Sequence, residues 1–288
     1  MASTQLLKRR MGSIKNTKQI TKAMELVSAS KMRRAQESAN KSRDFRNVAR
    51  EILTRLRELT DVDQHPLFKQ RKVETRLHVV IASDRTLAGA YNANVLKTFA
   101  AALQEDQAEG VRSQVIVIGR QAARFVSKLQ DVDVAGVYEH FPEHPTANDI
   151  RPLLNSLTEK FINHAVDAVD IIYTDFKSSI RQEVDTLRLL PAAFQKIEIE
   201  PDLEKAIFEP SVRAVLDNVT LRLIEAQLSQ AILESFASEH SMRMMAMKNA
   251  SDNATEIIDD LTLAFNSARQ ASITQEIAEI TGGAEAIQ

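Results

Sequence analysis

Between Ser211 and Thr281 the chain runs for 71 positions without a glycine or a proline. Those two residues punctuate turns and end helices, so the span can form one unbroken helix. At a rise of about 1.5 Å per residue it would extend roughly 105 Å, more than a domain of ordinary size encloses. A second span free of both residues, Ser13 to His65, lies at the other end. In all, 288 residues hold 7 Gly and 7 Pro, no Trp, 3 Tyr and 11 Phe. Few turn formers and few bulky core residues predict long helices with little burial per residue.

The C-terminal span also has a period. Stepping by heptads from Leu216, one row falls on Leu223, Gln230, Ala237, Met244, Ser251, Ile258 and Phe265. Its partner row falls on Val219, Ala226, Leu233, His240, Met247, Ala254, Leu261 and Ala268. Apolar residues fill 13 of these 16 places, which predicts a supercoiled seam, not a helix polar all round. Many are Ala or Met, so the seam is thin and adaptable. In the N-terminal span the clearest stripe is Phe45, Val48, Ile52, Leu56 and Leu59, at spacings of three and four.

Charge indicates which helix lies against which. Residues 1–60 carry 15 Lys and Arg against 5 Asp and Glu, whereas residues 202–288 carry 6 against 14. Helices of opposite sign at opposite ends of one chain suit antiparallel pairing, although exposed pairs stabilise little. Between them, β-branched runs alternate with helical stretches: Leu77–Ala82, Tyr91–Gln107, Val115–Ile118, Gln121–Leu129, Val132–Tyr138, Asp149–His164 and Val169–Tyr173. Thr186–Leu190 and Ile197–Ile199 could add edge strands, and Thr146 with Asp149 resembles a capping box. That alternation predicts an α/β layer with a mostly parallel sheet. The expected fold is therefore a long antiparallel two-helix coiled coil formed by the N- and C-terminal helices, with a central Rossmann-like α/β domain. Its segments are 1–65, 70–200 and 202–288.

The chemistry of an enzyme is hard to find. There is no Cys, which excludes disulfides, thiolate nucleophiles and Cys-ligated zinc. The turn Ile118-Gly119-Arg120 has one glycine where a dinucleotide fingerprint needs three. Ser83 to Ala90 contains no Gly-Lys-Ser/Thr to cradle phosphates. No cofactor is expected. His140 and His144 have helical ligand spacing, but Pro142 and Pro145 break that helix and no third ligand stands near. Asp259 and Asp260 are adjacent and do not face each other on a helix. His240 falls on the seam, and Met242, Met244, Met245 and Met247 read as ordinary seam packing. Lys8, Arg9, Arg10, Lys15, Lys18, Lys22, Lys31, Arg33 and Arg34 could contact nucleic-acid phosphates, which leaves a nucleic-acid-binding or scaffold coiled coil as the alternative. Against it, no base-stacking aromatic precedes Phe45, and the acidic end of the same chain can neutralise the basic one. No apolar run approaches the ~18 residues of a membrane span.

The stretch Ile14-Lys15-Asn16-Thr17-Lys18-Gln19-Ile20-Thr21-Lys22-Ala23-Met24-Glu25-Leu26-Val27-Ser28-Ala29-Ser30-Lys31-Met32-Arg33-Arg34-Ala35 resembles the N-terminal signature of the gamma subunits of F-type ATP synthases. The far end resembles it too, at Ala237-Ser238-Glu239-His240, at Arg243-Met244-Met245-Ala246-Met247 and from Ala268-Arg269-Gln270-Ala271 to Ser272-Ile273-Thr274-Gln275-Glu276-Ile277. Weaker matches at Asp84-Arg85, Asn92, Leu189-Leu190-Pro191 and Glu200-Pro201-Asp202 carry the resemblance across the whole chain. Thr86, Ala88 and Ala90 depart from the family's usual loop of Gly, Cys and Gly after the first strand. The resemblance implies a non-catalytic rotor, one copy per complex. The helix pair would stand inside a hexameric head of alpha and beta subunits. The α/β foot would be bound to epsilon and to the c-ring, with membrane association only through the complex. It also implies contacts with the catalytic head at Met24, Arg269, Gln270 and Thr274, with Lys22 and Glu239 as weaker candidates. Glu200 and Asp202 would approach epsilon or the c-ring. The missing Cys pair and presequence imply a bacterial form at the cytoplasmic face of the inner membrane, bearing no nucleic acid.

Overall fold

The computed structural model describes residues 4–129, 132–142, 145–193 and 208–285. In chain order these form α1 (Thr4–Leu59), a 3-10 turn (Val62–Gln64), β1 (Thr75–Ile81), α2 (Tyr91–Glu109), β2 (Arg112–Ile118), α3 (Arg120–Val126), β3 (Asp133–Tyr138), α4 (Ala147–Ile162), β4 (Ala168–Phe176), β5 (Gln182–Leu190) and α5 (Val212–Glu285). Both long helices are continuous. α1 starts well before the glycine-free span and passes through Gly12, then stops at Leu59, short of His65. α5 passes through Gly282. One exposed glycine costs about 1 kcal/mol relative to Ala, which a long helix tolerates. Ile197–Ile199 lies outside the described residues.

By proximity of Cα atoms the chain divides into two units, Met1–Ser28 with Arg243–Gln288, and Ala29–Met242. In both units all sixteen heptad positions of α5 are buried or half-buried. The matching rows of α1 are Leu7, Ile14, Thr21, Ser28, Ala35, Ser42, Ala49 and Leu56, and Met11, Lys18, Glu25, Met32, Ala39, Arg46 and Leu53. None of these is exposed. Only Leu56, with half-buried Ile52, survives from the stripe read in the sequence: Phe45 is 52% exposed, Val48 51% and Leu59 48%. Six of these fifteen are Ala, Ser or Thr and three are charged, so the α1 seam lets backbones approach closely in places and carries a weaker hydrophobic signal.

Within Ala29–Met242 the helices run antiparallel. Ser42 Oγ donates to the Ala226 carbonyl (3.3 Å), Arg43 pairs with Glu234 (3.2 Å), and His65 Nε2 meets Asp217 (3.2 Å). Residues in the second half of α1 thus meet α5 well inside it, whereas His65, just past the end of α1, meets α5 near its start. Arg43 is half exposed, so its pair adds modestly to stability.

The sheet has the order β3-β2-β1-β4-β5. β1, β2, β3 and β4 are parallel, and β5 closes one edge antiparallel to β4. Side chains alternate between its faces. Leu77, Val79 and Ile81 of β1 join Ile116, Ile118, Val169 and Ile171 in one core with α4, α1 and α5. Val80, Val115, Val117 and Ile172 pack with α2 and α3 on the other. Strands covered on both faces read as near-continuous apolar runs, as β1 and β2 do. Before α4, the Asp149 carboxylate accepts from Thr146 N (2.8 Å) and Thr146 Oγ1 (2.6 Å). These bonds hold its pKa below the ordinary carboxylate value.

Candidate functional site

The most enzyme-like cluster lies under α2. Asp106, fully buried, accepts from Ser113 Oγ (2.7 Å), lies 2.6 Å from His78 Nε2 and pairs with Arg76 at 2.5 Å. Ser113 and His78 thus share one carboxylate, so no base faces a hydroxyl nucleophile as a Ser-His-Asp relay requires. His78 is 1% exposed and stacks edge-on to Phe99. Arg76 reaches on to Asp170, which also holds Arg188. The network neutralises buried charge between α2 and four strands. Among the described residues no group of His, Cys, Asp and Glu could hold a metal ion.

Where a nucleotide would lie, the sheet is filled by protein. Open α/β sheets bind ligands outside the carboxyl ends of the strands where strand order reverses. Here the reversal falls between β1 and β4. Ser235 and Ser238 of α5, both fully buried, bond there to the backbone of Thr174 on β4. The single glycine of the second turn has a packing reason. Gly119 has φ +93°, and a Cβ there would come within 2.1 Å of the Ala82 carbonyl oxygen. It brings the ends of β1 and β2 together, not a phosphate.

Six of the eight sequence-derived contact residues are described. Five lie in the unit of Met1–Ser28 with Arg243–Gln288. Met24 is half-buried on α1, and exposed Lys22 bonds to Glu25 one turn on (3.0 Å). Arg269, Gln270 and Thr274 are exposed on α5, where Thr274 Oγ1 donates to the Gln270 carbonyl (2.9 Å). Glu239 belongs to Ala29–Met242 and is buried, at 8% exposure. Glu200 and Asp202 lie outside the described residues. His140 is an exposed loop residue with φ +56°, its N–H directed at Asp84 Oδ1 (3.3 Å); His144 lies outside the described residues.

A feature missed in the sequence surrounds those five. Leu6, Ile20, Leu26 and Val27 of α1 are exposed, as are Ile257, Leu263, Ile273, Ile277 and Ile280 of α5. Ile273, Ile277 and Ile280 share one helix face at spacings of four and three. Contiguous exposed apolar groups on one face are the kind of surface that protein partners cover. The signal was present as aliphatic residues off the heptad rows.

Deeper in Ala29–Met242, Glu234 is 4% exposed and accepts from Gln230 (2.6 Å) as well as Arg43. Burial, and then Glu234 itself, raise the pKa of Tyr173. Burial likewise lowers that of Arg46, aided by Arg50. These groups tie α1, β4 and α5 together. Burial also lowers the pKa of His65, against the opposing pull of Asp217.

The protein-family model for ATP synthase matches residues 3–287. A Geobacter metallireducens protein named ATP synthase gamma chain is 39% identical over 290 residues, covering all of both chains. Proteins of the same name from Acidithiobacillus ferrooxidans and Ralstonia nicotianae are 37% and 36% identical, also over their full lengths. Among solved structures, a central stalk and c-ring chain of the Tetrahymena thermophila mitochondrial ATP synthase has a TM-score of 0.62 at 24% identity. The match covers 81% of this chain and 99% of that one. A chain of the Euglena gracilis mitochondrial enzyme in rotational state 3 gives 0.66 at 19%, covering 99% and 95%. At these identities the structures attest to the fold.

Proposed function

The chain belongs to the ATP synthase gamma-chain family, and from that premise we propose that it is the central-stalk rotor of an F-type ATP synthase. The observation that carries the reading is the unit of Met1–Ser28 with Arg243–Gln288. It is a helix pair with exposed aliphatic side chains and exposed polar groups on its outer surface, and no catalytic group among its described residues. A pair of unlike helices has no threefold symmetry. Three beta subunits arranged around it would each meet a different surface, and differential contacts of that kind are what shift conformational populations. Chemistry then stays in the beta subunits, and this chain couples it to rotation.

In this reading Met24, Arg269, Gln270 and Thr274 touch the head, where hydrogen bonds from the Arg269 guanidinium to charged groups would be the strongest. Lys22 adds a weaker contact. Glu239 is an indirect one, since its burial leaves little surface to offer. Glu200 and Asp202 are assigned to the face that meets epsilon or the c-ring. No described helix is long and apolar enough to cross a membrane. Attachment to the cytoplasmic face of a bacterial inner membrane would therefore run through the ring.

Co-expression with alpha and beta subunits tests the reading. A stable ATPase complex should incorporate one copy of this chain, and Arg269→Ala with Gln270→Ala should lower its turnover at least tenfold while the free subunit keeps its unfolding midpoint. Failure of the wild-type chain to enter any complex would overturn the rotor assignment. Unchanged turnover of the double variant would remove those two contacts from it.

A further inference from the structure

β1 pairs with β4 as far as Val80 and Ile172 and ends at Ile81, whereas β4 runs on to Phe176. The step this leaves in the sheet is filled by one face of α5. Thr174 N donates to Ser235 Oγ (3.1 Å), and Ser238 Oγ donates to the Thr174 carbonyl (3.1 Å). Ser241 Oγ donates to the Ser179 carbonyl (2.7 Å) in the β4–β5 hairpin and accepts from Gln182 Nε2 (3.2 Å). Tyr91 Oη, at the start of α2, is 3.1 Å from Ser235 Oγ. All three serines are fully buried.

We propose that this serine ladder fixes the rotational and axial register of α5 in the α/β domain, making Ser235, Ser238 and Ser241 the positioning residues through which torque passes. The inference rests on the rotor reading above. Apolar packing holds a helix against a sheet but is non-directional, so it opposes separation more than twist. Hydrogen bonds to fixed backbone atoms depend on direction and weaken steeply off their geometry. The Cα cylinder of a helix has a radius of about 2.3 Å, so a twist of about 25° carries a Cα about 1 Å along its arc. At about 100° per residue, serines three and six positions apart spread over roughly 120° of the circumference. Ser235 and Ser238 therefore hold Thr174 from two directions, and Ser241 grips a second segment of backbone. Rotation in either sense strains at least one bond.

The test uses the assembled, ring-bound complex, with Ser235→Ala, Ser238→Ala and Ser241→Ala combined. A matched control, Ile232→Val, trims a fully buried apolar contact of the same helix. Two readouts are taken: the width of angular fluctuation of the α/β domain when the head is stalled, and the ions pumped per ATP in vesicles. The triple variant should at least double the angular variance and lower the pumping ratio, while head-only ATPase stays within about twofold. The control should leave the width unchanged. Equal widths in the triple variant and wild type, or equal broadening in the control, would overturn the ladder as a coupling device. If the triple variant does not assemble, Ser241→Ala alone is measured in its place, against the same criteria. A wild-type chain that never enters the complex would sink the rotor reading instead, which separates the two failures.

Discussion

Gly119→Ala should be among the most disruptive small substitutions in the chain. Its φ of +93° and ψ of 145° place it in a region nearly reserved for glycine, where other residues are strained by about 1–3 kcal/mol. The added Cβ would stand 2.1 Å from the Ala82 oxygen and 2.7 Å from the Ala82 carbonyl carbon. Both are backbone atoms that cannot swing aside. Moving them apart endangers two hydrogen bonds, Ala82 N to the Ile118 carbonyl and Gly119 N to the Tyr138 carbonyl, each 2.9 Å. At about 1 kcal/mol for each lost bond, the total with strain comes to about 3–5 kcal/mol. The three tyrosines, Tyr91, Tyr138 and Tyr173, all lie in the α/β domain and the chain has no Trp. Urea unfolding followed by tyrosine fluorescence therefore reports on that domain alone. Gly12→Ala is the control: nothing lies within 4 Å of its added Cβ, and it should strengthen α1 by up to about 1 kcal/mol without moving the tyrosine transition. A Gly119→Ala midpoint within about 0.5 kcal/mol of wild type would refute the reasoning.

Two further outcomes are expected of the free subunit. Leu56→Ala, at a fully buried seam position, should cost about 2–5 kcal/mol, whereas Phe45→Ala, half exposed, should shift the urea midpoint little; equal losses would restore the stripe read from the sequence. His65 Nδ1 accepts from Leu67 N (3.2 Å) while Nε2 faces Asp217, and Arg213 lies close enough to add to the depression of its pKa. With the folded pKa below the unfolded value near 6.5, neutral His65 contributes fully above that value. The contribution is lost as pH falls through the folded pKa. His65→Asn should flatten the acid limb of a stability–pH curve just below about pH 6.5, and an unchanged slope would place the titration elsewhere.

The contrast between the two long helices shows what a sequence reveals. In α5 the seam is built largely of Leu, Ile, Met and Ala, so the heptad period is visible before folding. In α1 the seam positions include Thr21, Ser28, Ala35, Ser42 and Lys18, whose hydropathy says nothing of burial. The visible stripe from Phe45 to Leu59 faces mostly outward instead. The strand–helix alternation was legible because strands covered on both faces must be apolar throughout. The serines at the sheet reversal were not, since a hydroxyl on a helix looks the same whether it meets water or a strand. Glu239 was read from a motif whose letters carry no burial, and it proved to be inside.

The unit of Met1–Ser28 with Arg243–Gln288 gives α5 more length than α1 can accompany. From Ile273 to Gly282 every residue of α5 is exposed. These ten residues extend an established helix but have no packed face, and in proteins most helical stability comes from packing. In the free subunit their amide protons should exchange fast, with protection climbing as the seam begins near Ala268. If the proposed rotor reading holds, a closely fitting collar would hold the same turns, and the order of this end would then report on whether the collar is present.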